Sequence, residues 1–235
     1  MQAQLMLTCL CDAFFGEVGI ATVKVLEHAG CRVVFPEGQT CCGQPPYNSG
    51  DWDAAKEVAR RAAQVFRPDL PVVTPSASCA AMVRKGWAAL GVDAPRCLEL
   101  SEYLLHHLGV KRWPQEGSRV APRRRVAFHV ACHGRELGLG DGPQRLVSMI
   151  PGVEWAQFSE SETCCGFGGV FSAEHPATSR GMGLHKLESL NAAKPDLVVT
   201  TDMGCALHLM TLQAQDGPSL RFLHYAQLLA EVIDR

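Results

Sequence analysis

The sequence predicts an α/β fold made of two tandem, duplicated repeats, each a short parallel sheet with helices. Three observations predict it. Thr40-Cys41-Cys42-Gly43 returns unchanged as Thr163-Cys164-Cys165-Gly166. The flanking cysteines repeat as well. Cys9 and Cys132 precede their pairs with 31 residues between, while Cys79 and Cys205 follow with 36 and 39 between. Finally, short apolar, β-branched runs alternate with segments of helical period, the pattern of parallel strands joined by crossover helices.

Taken in order, Gln4 to Thr8 reads as a buried strand ending at Cys9. Val18, Thr22, Val25 and Leu26 give Gly16 to His28 a helical face, and Gly30 stops it. Arg32 to Phe35 is the next strand. Pro36 to Gly50, dense in Gly, Pro and Asn, is a loop carrying the first Cys-Cys-Gly. Asp51 or Asp53 caps a helix to about Phe66, and Leu70 to Thr74 is a third strand. Ser76 begins a turn through Cys79 into a helix ending near Gly91. A strand at Arg96 to Leu98 and a helix from Ser101 to His107 complete the first repeat, residues 1–108.

Residues 109–123 lack a periodic pattern and read as a linker. Arg119, with Arg123, Arg124 and Arg125, makes a basic cluster there, expected to be solvated.

The second repeat, residues 124–235, runs in the same order. Arg125 to Val130 is a strand leading to Cys132. A glycine-rich loop follows, then a helix from Pro143 to Met149. Val153 to Phe158 is a strand, and Glu160 to Gly169 is the second Cys-Cys-Gly loop. One long helical stretch, weakened by Pro176, Gly181 and Gly183, spans about Ser172 to Ala193. Leu197 to Thr201 is a strand leading through Cys205 into a helix to about Gln215. Leu220 to Leu223 and Tyr225 to Ile233 are the closing strand and helix. The matched cysteines of each repeat therefore follow strand ends, where open α/β sheets place their ligands.

A net charge of -2 gives no electrostatic case for nucleic acid or an anionic membrane. No charged leader is visible, and no apolar run approaches the roughly 20 residues of a membrane span. A cytoplasmic chain that is not an integral membrane protein is expected. In a reducing compartment, patterned cysteines point to metal or catalysis. Adjacent Cα atoms lie about 3.8 Å apart, short of the roughly 4.4–6.8 Å of a disulfide. Each Cys-Cys pair therefore suits a metal better than an internal disulfide.

The candidate ligands are Cys9, Cys41, Cys42 and Cys79 in the first repeat, and Cys132, Cys164, Cys165 and Cys205 in the second. Four thiolates suit tetrahedral zinc or an iron–sulfur cluster. Glycine after each pair lets the backbone pass close to a bulky centre. Cys79 and Cys205 each open a helix, whose positive end favours an anionic centre. Cys31 and Cys97 lack counterparts and read as small buried hydrophobes. Cys11 is either that or an extra ligand. His129 and His133 flank Cys132. Each either donates to a ligand sulfur and tunes its potential or is an ordinary loop histidine. His106, His107 and His224 read as structural. Ser76 and Asp202, three residues before Cys79 and Cys205, read as caps of the following helices.

The duplicated layout resembles the cysteine-rich domain often called CCG, found in the heterodisulfide reductase B subunit and in iron–sulfur subunits of glycerol-3-phosphate and glycolate oxidases. Gly30-Cys31-Arg32-Val33 with Phe35-Pro36, Cys41-Cys42-Gly43-Gln44-Pro45 with Asn48-Ser49-Gly50, and Cys164-Cys165-Gly166-Phe167-Gly168-Gly169 with Phe171-Ser172 carry the likeness. It is nearest to the stand-alone lactate-utilisation protein A family. One departure matters. The reductase form ends each motif in Cys-x-x-Cys, whereas Ser76 and Asp202 stand here in place of the first of those cysteines. This leaves four ligands per repeat, enough for one or two [4Fe-4S] clusters, with zinc an alternative in one half.

The resemblance implies an electron-transfer subunit, without catalytic residues of its own, in a system oxidising L-lactate or another 2-hydroxy acid. Its implied partners are a ferredoxin-like iron–sulfur protein and a third subunit. No Gly-x-Gly-x-x-Gly follows a strand here, so nicotinamide and flavin are expected on a partner. The alternatives are a heterodisulfide-reductase-like thiol/disulfide redox protein and a zinc-binding assembly module.

Overall fold

The structure, a computed structural model, describes residues 1–114, 122–216 and 220–233. In the first repeat β1 (Gln2–Leu5) leads to α1 (Cys9–Phe14) and α2 (Gly16–His28). Then come β2 (Arg32–Val34), α3 (Gln44–Asn48), α4 (Trp52–Ala63) and β3 (Val72–Thr74). α5 (Ala77–Ala81) continues through a wider π turn into α6 (Trp87–Ala89). β4 (Cys97–Glu99) is followed by α7 (Leu100–Glu102), which also runs on through a π turn, to His107.

The second repeat has β5 (Arg124–His129), α8 (Cys132–Leu137), α9 (Gly142–Ser148), β6 (Val153–Trp155), α10 (Val170–Glu174) and α11 (Pro176–Ala192). It closes with β7 (Leu197–Thr200), α12 (Met203–Asp216), β8 (Phe222–His224) and α13 (Tyr225–Glu231). Residues 115–121 of the expected linker, Arg119 among them, lie outside the described residues.

Among the described residues, each repeat forms a four-stranded parallel sheet, ordered β2-β1-β3-β4 and β6-β5-β7-β8. The order reverses between β1 and β3, and between β5 and β7, the place where such sheets receive ligands. Cys9 follows β1 and Cys79 follows β3, so the first set's outlying cysteines flank that point. Cys132 and Cys205 do the same after β5 and β7.

Among the described residues, three apolar clusters hold the molecule. One belongs mainly to the first repeat around Trp87, Ala59 and Val83, and one mainly to the second around Leu190 and Leu209. The largest is shared: Val25, Leu26, Leu100 and Tyr103 pack with Val126, Leu146, Tyr225 and Leu229. Polar bonds reinforce it. The Lys24 ammonium donates to the Ala230 and Ile233 carbonyls at the end of α13, and the Trp113 indole donates to Leu229 O. Tyr225 O–H donates to the buried Glu99 carboxylate at 2.7 Å. The two repeats thus bury one another's faces, because neither four-stranded sheet covers both sides alone.

Several expectations need correction. Helices α1 and α8 occupy stretches expected as strand end and loop. Helix α3 lies inside the expected Pro36–Gly50 loop, which Pro45 and Pro46 permit because they sit at its first positions, where no N–H is needed. The long stretch to Ala193 is two helices, broken at His175 where Pro176 starts the second. The strands are shorter than their apolar runs. Arg124, expected in the solvated basic cluster, belongs to β5, and Arg125 lies in that strand as expected. Arg124 pairs with Glu231, and the Arg125 N–H donates to Asp196.

Candidate metal centre

The first Cys-Cys-Gly turn is held from three sides. Gln39 donates to the Leu5 and Pro36 carbonyls and accepts from Leu7 N–H, fastening the loop to the end of β1. The fully buried Trp87 indole donates to Cys42 O at 2.8 Å. Gly43 turns with φ +88°, and a Cβ there would stand 3.1 Å from Ala55 O. The second turn repeats this more tightly. Gly166 also has φ +88°, and its Cβ would meet Ser179 O at 2.5 Å. In each turn the glycine N–H donates to the first sulfur of the pair, Cys41 Sγ or Cys164 Sγ, at 3.4 Å.

Within the first set, Cys9 Sγ and Cys41 Sγ lie 3.7 Å apart, and Cys42 Sγ and Cys79 Sγ 3.6 Å. A disulfide needs about 2.05 Å, and the eleven cysteines are free. Cys132 with Cys164, and Cys165 with Cys205, pair the same way. Each set therefore has an outer pair near solvent and a buried inner pair. Hydrogen bonds from Cys42 and Cys9 hold the Cys41 pKa far below the ordinary thiol value. Cys132 and Cys165 do the same for Cys164. The inner thiols Cys42 and Cys165 are pushed well up by those same bonds and by burial.

All eight cysteines line a single cavity of about 200 Å³ between the repeats. Cys11 lines it too, though only 1% exposed, with its pKa pushed up to about 12 by burial. Cys31 and Cys97 are buried in the apolar clusters, away from it. Helices α5 and α8 meet beneath the cavity, and Gln44 and His133 bond across it at 3.2 Å. His133 Nδ1 lies 3.6 Å from Cys132 Sγ.

The two capping residues behave differently. Ser76 Oγ accepts from Cys79 N–H at 3.2 Å, capping its own helix α5. Asp202 instead turns across the repeat boundary. Its carboxylate accepts from Ser78 N–H at 2.7 Å, from Ser78 Oγ at 2.8 Å and from Ser76 Oγ at 3.4 Å. Burial raises its pKa, outweighing those bonds.

His129 is 1% exposed and neither ring nitrogen has a partner among the described residues. A ring nitrogen, Cys165 Sγ and Cys205 Sγ lie within 4.8 Å of one another. Burial drives its pKa down to about 3, so the imidazole is neutral. Beside it the buried Lys186 donates to Glu160 O and lies 5.4 Å from the Phe158 ring centroid. Burial lowers its pKa to about 8, which leaves it cationic at neutral pH. Lys186 was missed in the sequence, although it sits with Gly183, Leu187 and Leu190 on the buried face of α11. A lysine on such a face was the available signal.

Metal fits these residues. Eight sulfurs converge on one cavity, backbone N–H groups are aimed at two of them, and an orphaned buried imidazole stands behind Cys165 and Cys205. His224, by contrast, is structural. It caps α13 by accepting from Ala226 N–H.

The comparisons agree with this architecture. A solved structure of a hypothetical protein from Helicobacter pylori matches over 100% of this chain with a TM-score of 0.59 at 9% identity. The chain spans 49% of that protein, and the likeness is one of fold alone. Lactate utilization protein A of Oceanobacillus iheyensis is 36% identical, covering 97% of this chain and 96% of the relative. Lactate utilization protein A 2 of Bacillus cereus is 35% identical over the whole of both chains. The cysteine-rich domain CCG matches twice, over residues 3–84 and 126–210. A duplicated Cys-Cys-Gly repeat on two parallel sheets, with full-length likeness to these relatives, makes the chain a member of the CCG cysteine-rich family, in its lactate utilization protein A group.

Proposed function

We propose that this chain is the iron–sulfur electron-transfer subunit of a cytoplasmic system that oxidises L-lactate or a related 2-hydroxy acid. The observation that carries this reading is the convergence of two matched four-cysteine sets on one cavity. Cys9, Cys41, Cys42 and Cys79 hold one centre on the repeat 1–108. Cys132, Cys164, Cys165 and Cys205 hold the other on the repeat 124–235, across the linker 109–123. A bound [4Fe-4S] centre supplies one-electron chemistry. The chain supplies its insulation and its charge balance. Gly43 and Gly166 N–H groups donate to ligand sulfur, and buried inner cysteines keep water away. The names of the relatives support lactate as the substrate of the wider system. Substrate oxidation itself belongs to partners, a ferredoxin-like iron–sulfur protein and a third subunit.

One observation favours a second reading for the second repeat alone. The spacing of His129, Cys165 and Cys205 suits a single tetrahedral ion, with zinc bonds of about 2.0 Å to nitrogen and 2.3 Å to sulfur. Anaerobic purification followed by iron, sulfide and zinc analysis separates the two. The relay predicts brown protein with about four iron and four sulfide per filled repeat, bleached on reduction. Colourless protein with stoichiometric zinc, even after anaerobic reconstitution, contradicts it.

A further inference from the structure

The two cysteine sets match, but their surroundings do not. Met6 stands three residues before Cys9, and His129 three before Cys132. Met6 directly follows β1 and His129 is the last residue of β5, the matching central strand, and both are buried, at 2% and 1% exposed. Met6 packs in the cluster containing Cys42 and Cys79. His129 lies within 4.8 Å of Cys165 and Cys205, the corresponding pair. A second difference lies on the helix behind each turn. Gly43 faces Ala55 O and Gly166 faces Ser179 O, which aligns α4 with α11. Seven residues on, the first repeat has Ala62 and the second Lys186, at 1% and 0% exposed. A thioether and a methyl group in one repeat are therefore replaced by an imidazole and an ammonium in the other.

We propose that His129 and Lys186 make the second repeat's centre the better electron acceptor, so that electrons pass through this chain from the first centre to the second. The inference rests on the iron–sulfur reading above. An N–H donor to ligand sulfur, or a nearby cation, stabilises the more negative reduced state, and the effect grows where water is excluded. Neutral imidazole has one N–H to give. Both His129 nitrogens lack a partner among the described residues, so the donor is free for sulfur. The Glu160 carboxylate beside Lys186 is the opposing charge, and it also lies 3.8 Å from the exposed His185. Thioether and methyl groups give no such stabilisation around the first set. In the transfer the first centre loses one electron and the second gains it, with no bond made or broken and no proton required. His129 and Lys186 act through the ligand sulfurs and are positioning residues.

The test is an anaerobic redox titration of the iron-loaded full chain, monitored by electron paramagnetic resonance. Two waves are expected. Cys165→Ser removes the upper and Cys42→Ser the lower. The His129→Met and Lys186→Ala variants, which copy the first repeat, each shift the upper wave to lower potential at unchanged iron content. Met6→His, an independent variant, raises the lower wave. Coincident waves in the parent, an upper wave that belongs to the first repeat, or waves unmoved by His129→Met and Met6→His overturn the inference while leaving the relay standing. Protein without iron and sulfide overturns the relay and this inference together. Zinc in place of the second repeat's iron overturns this inference and supports the zinc reading of that repeat.

Discussion

Asp202 ties the repeats together at the floor of the cavity, since its carboxylate accepts from Ser76 and Ser78 of the other repeat. Asp202→Ala leaves the part-buried Ser78 N–H and hydroxyl without their acceptor, at a cost of about 1–3 kcal/mol. Urea denaturation of the metal-free protein measures it, and an unchanged midpoint would refute the cross-repeat cap. Glu99 gives a pH signature. Complete burial raises its pKa from 4.5 to about 7, against the hydrogen bonds from Ser101 and Tyr225. A carboxyl raised on folding contributes stability that is whole below its unfolded pKa and lost as pH climbs to its folded one. The loss is about 3 kcal/mol between pH 4.5 and 7. His129 and His224, pushed down to about 3, act the other way, losing stability as pH falls through 6.5. The difference between parent and Glu99→Gln isolates the carboxyl. The variant's relative stability rises across pH 4.5–7.5, and a flat difference contradicts the assignment. The Ser76 cap was legible three residues ahead of Cys79. The crossing of Asp202 was not, because a carboxylate's choice between two helix ends depends on how the repeats dock.

Short elements were the hardest to read and matter most to the site. Helix α2 was read from Gly16 to His28 because thirteen residues give its apolar face several turns to repeat. Helices α1 and α8 have six residues each, too few for a period to emerge, and both begin at candidate ligands. Thr8 caps α1 by accepting from Cys11 N–H. The first Cys-Cys-Gly turn depends on the run from α5 to α6, whose Trp87 holds Cys42 O. Trp87→Phe keeps the apolar bulk but orphans that carbonyl. It should cost about 1–3 kcal/mol and loosen metal in the first repeat, with the second unaffected. Metal analysis in the Cys165→Ser background reads this directly. Equal retention with and without the indole would remove the anchor from the account. Gly166→Ala forces a Cβ to 2.5 Å from Ser179 O of α11, against 3.1 Å from Ala55 O of α4 for Gly43→Ala. The former should destabilise more, as paired thermal melts would record.

At the scale of the molecule, duplication made eight cysteines legible as two sets, while their meeting in one cavity was not. Periodicity reports which face of an element is apolar, not which element of the other repeat covers it. The shared core of Leu26, Tyr103, Leu146 and Leu229 decides that, by packing α2 against α13 and α7 against α9. A core so divided predicts one cooperative unfolding transition, coincident by near-ultraviolet and far-ultraviolet circular dichroism. Two separated transitions would mean independent repeats. The central claim, two iron–sulfur centres facing one cavity as a relay, is tested most directly by electron paramagnetic resonance of the fully reduced protein. The account predicts a spectrum broadened by magnetic interaction between the centres, collapsing to one simple signal in Cys42→Ser and in Cys165→Ser. A parent spectrum equal to the plain sum of the two variants' spectra, or no iron signal in anaerobically reconstituted protein, would contradict it.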